Sequence, residues 1–141
     1  MITNSNTISI IADDLTGATD SSLQFHLKGA KTQILLNKNF DDISDTTVFA
    51  VSTESRNVTP NDAYEKVKMV TEKLIEVINP DYFVKKIDST IRGNIAVEIL
   101  GILEVLNWDA SVVVPAFPRE GRITVGGYHL LKGAPIERTE M

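Results

Sequence analysis

The sequence contains no cysteine, so disulfide staples, thiolate catalysis and cysteine metal sites are excluded together. Long hydrophobic runs are absent as well. The apolar stretches reach about five residues, against the roughly 20 needed to span a bilayer. Residues 1–7 are polar and uncharged, without the basic start and apolar core of a secretory signal. A soluble, cytoplasmic protein with no membrane partner is the expectation. Basic residues are in deficit: 14 Lys and Arg against 19 Asp and Glu give a net charge of −5. That balance argues against bulk nucleic-acid binding and leaves room only for a local basic pocket. Histidine is scarce, and neither His26 nor His129 has a partner at ligand spacing. Both read as structural, and no metal site is expected. What is present is ordinary globular composition, 43% hydrophobic and 23% charged, which excludes a disordered or fibrous chain. At 141 residues the chain makes one domain with a real core.

Short apolar runs alternate with helical periodicity. Residues 8–12 (ISIIA) read as a strand ended by Asp13-Asp14. Residues 19–28 carry Leu23, Phe25 and Leu27 among polar positions, with Gly29 placed as a helix C-cap. Residues 32–36 and 48–52 read as strands, and 41–47 as an exposed connection. Thr59-Pro60-Asn61-Asp62 is a helix start: a threonine cap, a first-turn proline, and an aspartate near the positive end of the dipole. Ala63, Val67, Val70, Leu74 and Val77 then form one helical face, stopped by Asn79-Pro80. Residues 82–87 are the next strand. Asn94 opens a second helix with the stripe Ile95, Ile99, Ile102 or Leu103, and Leu106. Residues 112–114 read as a short buried strand cut off by Pro115. Phe25, Phe40, Phe49, Phe83 and Trp108 read as core or core edge.

This alternation predicts an α/β fold with a mainly parallel sheet flanked by helices. After Pro118, glycines at short intervals predict β-hairpins instead of another crossover. The chain stops soon after a strand signal with no closing helix, so a domain truncated relative to a longer protein is expected.

Chemistry is concentrated where strands end. The segments 13–17, 52–56, 88–94 and 115–122 each follow an expected strand, and in a parallel sheet those ends share one edge, where ligands bind. Four of the five arginines (Arg56, Arg92, Arg119, Arg122) fall in these segments and none of the nine lysines does. A guanidinium fork suits carboxylate or phosphate, and aspartates and hydroxyls in the same loops suit a sugar-like molecule. A small, polyhydroxylated anion therefore fits this edge. The same arginines could instead pair with Asp13, Asp14, Glu54 and Asp88 to tie the loops together. Asp13-Asp14 could cap the following helix, bind magnesium or act as a base. Gly93-Asn94 offers backbone donors at a helix start but is also an ordinary helix entry. Strand alternation puts Lys85 and Lys86 on opposite faces, so one is expected in solvent or lying over the sheet.

The strings ADDLTGATD (12–20), TESR (53–56), KKIDSTIRGN (85–94) and PAFPREGRITVGGYHL (115–130) closely resemble the four-carbon acid sugar kinase family, long catalogued as a domain of unknown function. Isoleucine stands at 91 where leucine is usual, a change expected to be mild. The resemblance implies the N-terminal, acid-sugar-binding portion of an enzyme that transfers the γ-phosphate of ATP to threonate, erythronate or a related acid. Residues 1–141 would be this domain, itself incomplete, with the nucleotide-binding C-terminal domain supplied in cis or in trans. ATP and Mg would serve the full-length enzyme, with none expected bound by this chain alone; no Walker-type loop is present. On this reading Asp14 is the favoured base and Asp88 the second candidate. Asp13, Arg56, Lys86, Ser89, Arg92, Gly93 and Arg122 bind substrate, with Arg92 and Ser89 gripping its carboxylate. A non-catalytic sugar-acid-binding or interaction fragment, and a homo-oligomer, are the alternatives. Receiver domains and haloacid-dehalogenase-type phosphatases also place aspartates after a first strand. The former need an acceptor aspartate where this chain has Ser52-Thr53-Glu54, and the latter need Asp-x-Asp.

Overall fold

The structure is a computed structural model that describes residues 6–36, 40–41 and 43–139. Its order is β1 (Ile8–Ala12), α1 (Leu15–His26), β2 (Thr32–Leu35), β3 (Val48–Ser52), α2 (Pro60–Val77), β4 (Tyr82–Lys86), α3 (Ile95–Leu106), then β5 (Arg122–Val125), β6 (Tyr128–Leu131) and β7 (Ala134–Pro135). The first four strands form one sheet in the order β2-β3-β1-β4, parallel throughout. This is the α/β fold anticipated from the alternation of elements. The register sets Ala12 beside both Ser52 and Lys86, so β1, β3 and β4 end level and release their following loops at one place.

Side-chain alternation explains the two layers. Ile10, Ala12, Val48 and Ala50 point to α1, where Ala18 and Phe25 meet them. Ile11, Phe49 and Val51 point the other way, onto Val67, Val70 and Leu74 of α2 and Ile102 of α3. Thr59 caps α2 by accepting from the Asp62 amide at 3.2 Å, with Pro60 in the first turn, as its sequence predicts. Trp108 meets Phe83 edge-on at 6.1 Å.

Helix α1 starts four residues earlier than its apolar pattern indicates. The Asp14 side chain caps it, and small residues make its buried face: Gly17, Ala18 and Ser22. Leu23 and Leu27 lie outside, which is why apolar spacing misplaces the start.

The expectation of a buried strand over 112–114 is corrected. Val112 is 92% exposed and Val114 72%, and the segment belongs to no strand. A strand exists only by pairing, and neither edge of the sheet, β2 or β4, takes this segment up. Tyr82 and Val84 of the β4 edge are themselves exposed.

The glycine-rich tail forms the expected hairpins. Val125 pairs with Tyr128 across Gly126-Gly127, both at positive φ (57° and 84°), and Leu131 pairs with Ala134 across Lys132-Gly133. Two-residue turns with two positive φ values match the twist of antiparallel strands, which accounts for the glycines.

Candidate functional site

Three loops meet at the level ends of β1, β3 and β4. Asp13 follows β1 and is 2% exposed. Arg56, after β3, grips it with a fork: Nε donates to Oδ2 at 2.7 Å and Nη2 to Oδ1 at 3.0 Å. The third nitrogen, Nη1, lies 2.6 Å from Asp14 Oδ2, and Nη2 also faces Asp88 Oδ1 at 3.8 Å. Arg56 thus stands among three carboxylates, and the hydrogen bond to Asp13 leads the effects that hold its pKa above the usual guanidinium range.

Asp88, after β4, is the second hub. Arg92 forks onto it through Nε (3.0 Å) and Nη2 (2.8 Å). The Thr90 amide donates at 3.0 Å, the Arg92 amide at 3.3 Å, and the Thr90 hydroxyl donates too. Burial alone would raise the Asp88 pKa. The donors from Arg92 and Thr90 outweigh it and hold the carboxyl well below the usual carboxylate range.

The sign of the linked stability follows. A depressed carboxyl pKa adds stability above the unfolded value near 3.9, and this is lost as pH falls toward the lower folded value. Between about pH 5 and 3 the unaltered chain should therefore lose more stability than Asp88→Asn, measured as urea midpoints at each pH. Parallel pH profiles would refute this.

The cluster has two tiers. Asp13, Arg56 and Asp88 lie beneath. Asp14 and Arg92 reach the surface, with side chains 25% and 54% exposed, and Ser89 is half-buried beside them. Arg92 keeps Nη1 without a partner among the described residues, whereas all three Arg56 nitrogens face carboxylates. An open groove of about 350 Å³ borders the cluster beyond Asp14, lined by Leu15, Leu36, Ser52, Thr53, Glu54 and Lys66.

The aspartate pair has a local explanation. Asp14 Oδ1 accepts from the Gly17 amide at 2.7 Å, so the capping reading of Asp13-Asp14 holds for the second residue. A Cβ on Gly17 would stand 2.9 Å from that oxygen and 3.1 Å from Lys86 Cγ. Helix propensity alone would make Gly17→Ala stabilising by about 1 kcal/mol. We expect the opposite sign, a loss of about 1–2 kcal/mol, because the cap is displaced. The direction of the urea-midpoint shift decides between them.

Gly93 (φ 91°) lies against Arg56, where a Cβ would meet Cγ at 3.1 Å and Cα at 3.4 Å. Asn94 precedes α3 without capping it. Its amide donates instead to the Ser55 and Val58 carbonyls, each at 2.9 Å, and so ties the β3 loop to the β4 loop. Ile91 sits at φ 61°, a conformation that a β-branched side chain enters at a cost of about 1–3 kcal/mol. The exchange of leucine for isoleucine is therefore less mild than expected, because it falls on a strained position.

Of the expected site residues, Asp13, Asp14, Arg56, Asp88, Arg92 and Gly93 come together. Lys86 lies alongside, its stem against Gly17 and its Nζ donating to the Ile87 carbonyl at 2.7 Å. Lys85, across the strand, is in neither solvent nor the cleft. Its Nζ sits 2.7 Å from Oε2 of the fully buried Glu98, an ion pair, while the Ser55 hydroxyl donates to Oε1 at 2.6 Å. Sequence reasoning missed Glu98; its signal was a carboxylate set beside the apolar stripe of α3, between Val97 and Ile99. Glu54 pairs with Ser52, not with an arginine. Arg119 is exposed.

Arg122 does not follow a strand end, since 112–114 is no strand. It lies on β5 two residues before Thr124, hence on the same face, and Thr124 contacts His129 at 3.1 Å. His129 Nε2 in turn meets the Ser89 carbonyl at 2.8 Å. Arg122 makes no ion pair with Asp13, Asp14 or Asp88 among the described residues.

Fold and cluster together define a parallel α/β domain with an arginine–carboxylate site on the carboxyl edge of its sheet. The chain belongs to the family described as the sugar-binding N-terminal domain, which it matches over residues 8–141. It is 43% identical over 136 residues to a D-erythronate kinase of Heliobacterium modesticaldum, covering 94% of this chain and 31% of that protein. A D-threonate kinase of Salmonella typhimurium is 34% identical over 131 residues, covering 93% and 31%. These relatives place the chain in the four-carbon acid sugar kinase family named from its motifs. A crystal structure from Bordetella bronchiseptica, of a domain of unknown function with bound citrate in a domain-swapped dimer, superposes with a TM-score of 0.85 at 32% identity, covering 94% of this chain and 34% of that one. The chain spans about a third of the length of the curated relatives it matches. No helix among the described residues is long and apolar enough to cross a membrane.

Proposed function

We propose that this chain is the acid-sugar-binding part of an ATP-dependent kinase acting on a four-carbon sugar acid of the erythronate or threonate type. The observation that carries the reading is the two-tier cluster: a buried Asp13–Arg56–Asp88 frame holds a carboxylate and a guanidinium at the surface. Such a pair suits a molecule with a hydroxyl at one end and a carboxylate at the other. Three carboxylates (Asp13, Asp14, Asp88) stand against Arg56, Arg92 and Lys86, so the site carries no excess negative charge to repel an anion. Citrate, bound to the Bordetella relative, is also a hydroxylated carboxylate.

In this reading the free Nη1 edge of Arg92 and the Ser89 hydroxyl take the substrate carboxylate, with Lys86 and Arg122 contributing charge. Arg56 acts through Asp13 and Asp14, and Gly93 admits it to its place. Phosphoryl transfer asks chiefly for positioning and charge stabilisation, plus a carboxylate near the acceptor hydroxyl. Asp14 fits that role. Asp88 fits it less well, since its donors lower its affinity for a proton. ATP and its magnesium are co-substrates of the whole enzyme. The carboxylates here are held by arginines, and no set of three or more metal-ligating side chains is grouped among the described residues. On this reading the donor site lies in the further two thirds of the length of the curated relatives, joined in cis or in trans. The exposed β4 edge and residues 112–114 are where that part, or a second copy, would pack.

Titration calorimetry with D-erythronate, D-threonate and L-threonate tests the site. At least one should bind, and Arg92→Lys should weaken it by about 1–3 kcal/mol, because a point charge replaces a fork. Unchanged affinity removes Arg92 from the site. A coupled ADP-release assay should show turnover only after a C-terminal part is added, and Asp14→Asn should abolish it. Robust turnover by the 141 residues alone would overturn the split-site reading.

A further inference from the structure

His129 is 8% exposed on a hairpin whose neighbouring Tyr128 is 61% exposed. Its Nε2 lies 2.8 Å from the Ser89 carbonyl, and a carbonyl only accepts, so Nε2 carries the proton. In the neutral ring Nδ1 then accepts from the Thr124 hydroxyl at 3.1 Å, which fixes both the tautomer and the ring plane. Among the described residues this is the one hydrogen bond between the segment 115–139 and the rest of the chain. The other bonds of β5, β6 and β7 close within the tail.

The bond falls on the turn that carries the surface arginine. Residues 88–92 are wound around Asp88: its side chain receives the Thr90 and Arg92 amides, and its carbonyl receives the Ile91 amide at 3.0 Å. Among the described residues the Ser89 carbonyl receives a hydrogen bond only from the hairpin. The same turn holds Ile91 at φ 61°, and a strained conformation persists only when its surroundings over-determine it. Arg122 shares the face of β5 that carries Thr124, so seating His129 brings the Arg122 face toward this turn.

We infer that His129 is a positioning residue for the sugar-acid site: it latches the β5–β6 hairpin onto the Ser89 carbonyl and so holds the 88–93 turn, with Arg92, in its binding geometry. The assignment goes beyond the structural role that its isolation in the sequence suggests, and it rests on the proposed site.

The test compares the unaltered chain with His129→Ala, His129→Gln and Thr124→Val. Amide hydrogen exchange over 88–93 is measured without ligand, and D-erythronate and D-threonate affinities by calorimetry. His129→Ala should speed exchange in 88–93 while leaving β1 and β3 protected. It should also weaken sugar-acid binding by about threefold to tenfold, the worth of one neutral hydrogen bond. His129→Gln keeps an N–H donor and should recover most of both effects, a rescue that loss of packing alone would not give. Thr124→Val, which keeps the shape and frees the ring, should fall between. Unchanged exchange in His129→Ala overturns the latch, and so does faster exchange with unaltered affinity. If the unaltered chain binds neither acid, the proposed site fails. The exchange arm then decides on its own whether His129 holds the turn.

Discussion

Replacing Arg56 by alanine is expected to cost about 3–5 kcal/mol of stability, the penalty for leaving a buried carboxylate without its partner. Asp13 is nearly inaccessible and receives both parallel bonds of the Arg56 fork, while Asp14 and Asp88 face the same guanidinium. Removing the fork leaves three carboxylates facing one another at the ends of β1 and β4, and sugar-acid binding should be lost with it. Arg56→Lys should recover only part of the stability, since one ammonium cannot bond two oxygens in parallel and also reach Asp14. Urea midpoints at pH 7 measure both variants. A loss below about 1 kcal/mol, the range of a surface ion pair, would show that Arg56 does not frame the site.

The second large effect lies beneath the site. Glu98→Ala leaves the Lys85 ammonium buried without its counter-charge and takes an acceptor from Ser55, so a loss of about 3–5 kcal/mol is expected. The paired replacement Lys85→Met with Glu98→Leu should behave differently. It removes both charges at similar volume, which is often neutral or stabilising by about 1–4 kcal/mol. The Ser55 hydroxyl keeps Thr53 Oγ1 at 2.6 Å in that variant. Equal losses in the single and paired variants would mean that the strand–helix geometry needs the charges themselves. If the paired variant is stable, its sugar-acid affinity shows whether the network also tunes the loop that carries Arg56, since Ser55 precedes it.

The strands and α2 were legible because burial on both faces leaves local marks. The ISIIA and VFAVS runs are apolar enough to lie between two layers, and Thr59-Pro60 with the stripe from Ala63 to Leu74 dictates a capped amphipathic helix. Helix α1 was less legible, since its buried face is made of Gly17, Ala18 and Ser22, which carry no hydrophobic signal. Residues 112–114 misled in the opposite direction: three valines promise a strand, but a strand needs a neighbour, and among the described residues none pairs with them.

By itself, the sequence determined which charged side chains gather at the carboxyl edge of the sheet. Asp13, Asp14, Arg56, Asp88 and Arg92 stand after strands, and a parallel sheet must bring such positions to one edge. The glycines at 126–127 also dictated a tight hairpin locally, because two successive positive φ values admit little else. Only the tertiary structure decided how those charges divide. Arg56 is enclosed by three carboxylates from two other loops while Arg92 keeps a free edge, and no spacing rule distinguishes the two. The same holds for His129, Lys85 and Glu98. None carries a pairing signal within its own segment, and its role arises from partners 40, 13 and 43 positions away along the chain. Charge pairing of this kind depends on distance in space, which a linear pattern does not carry until packing has set it.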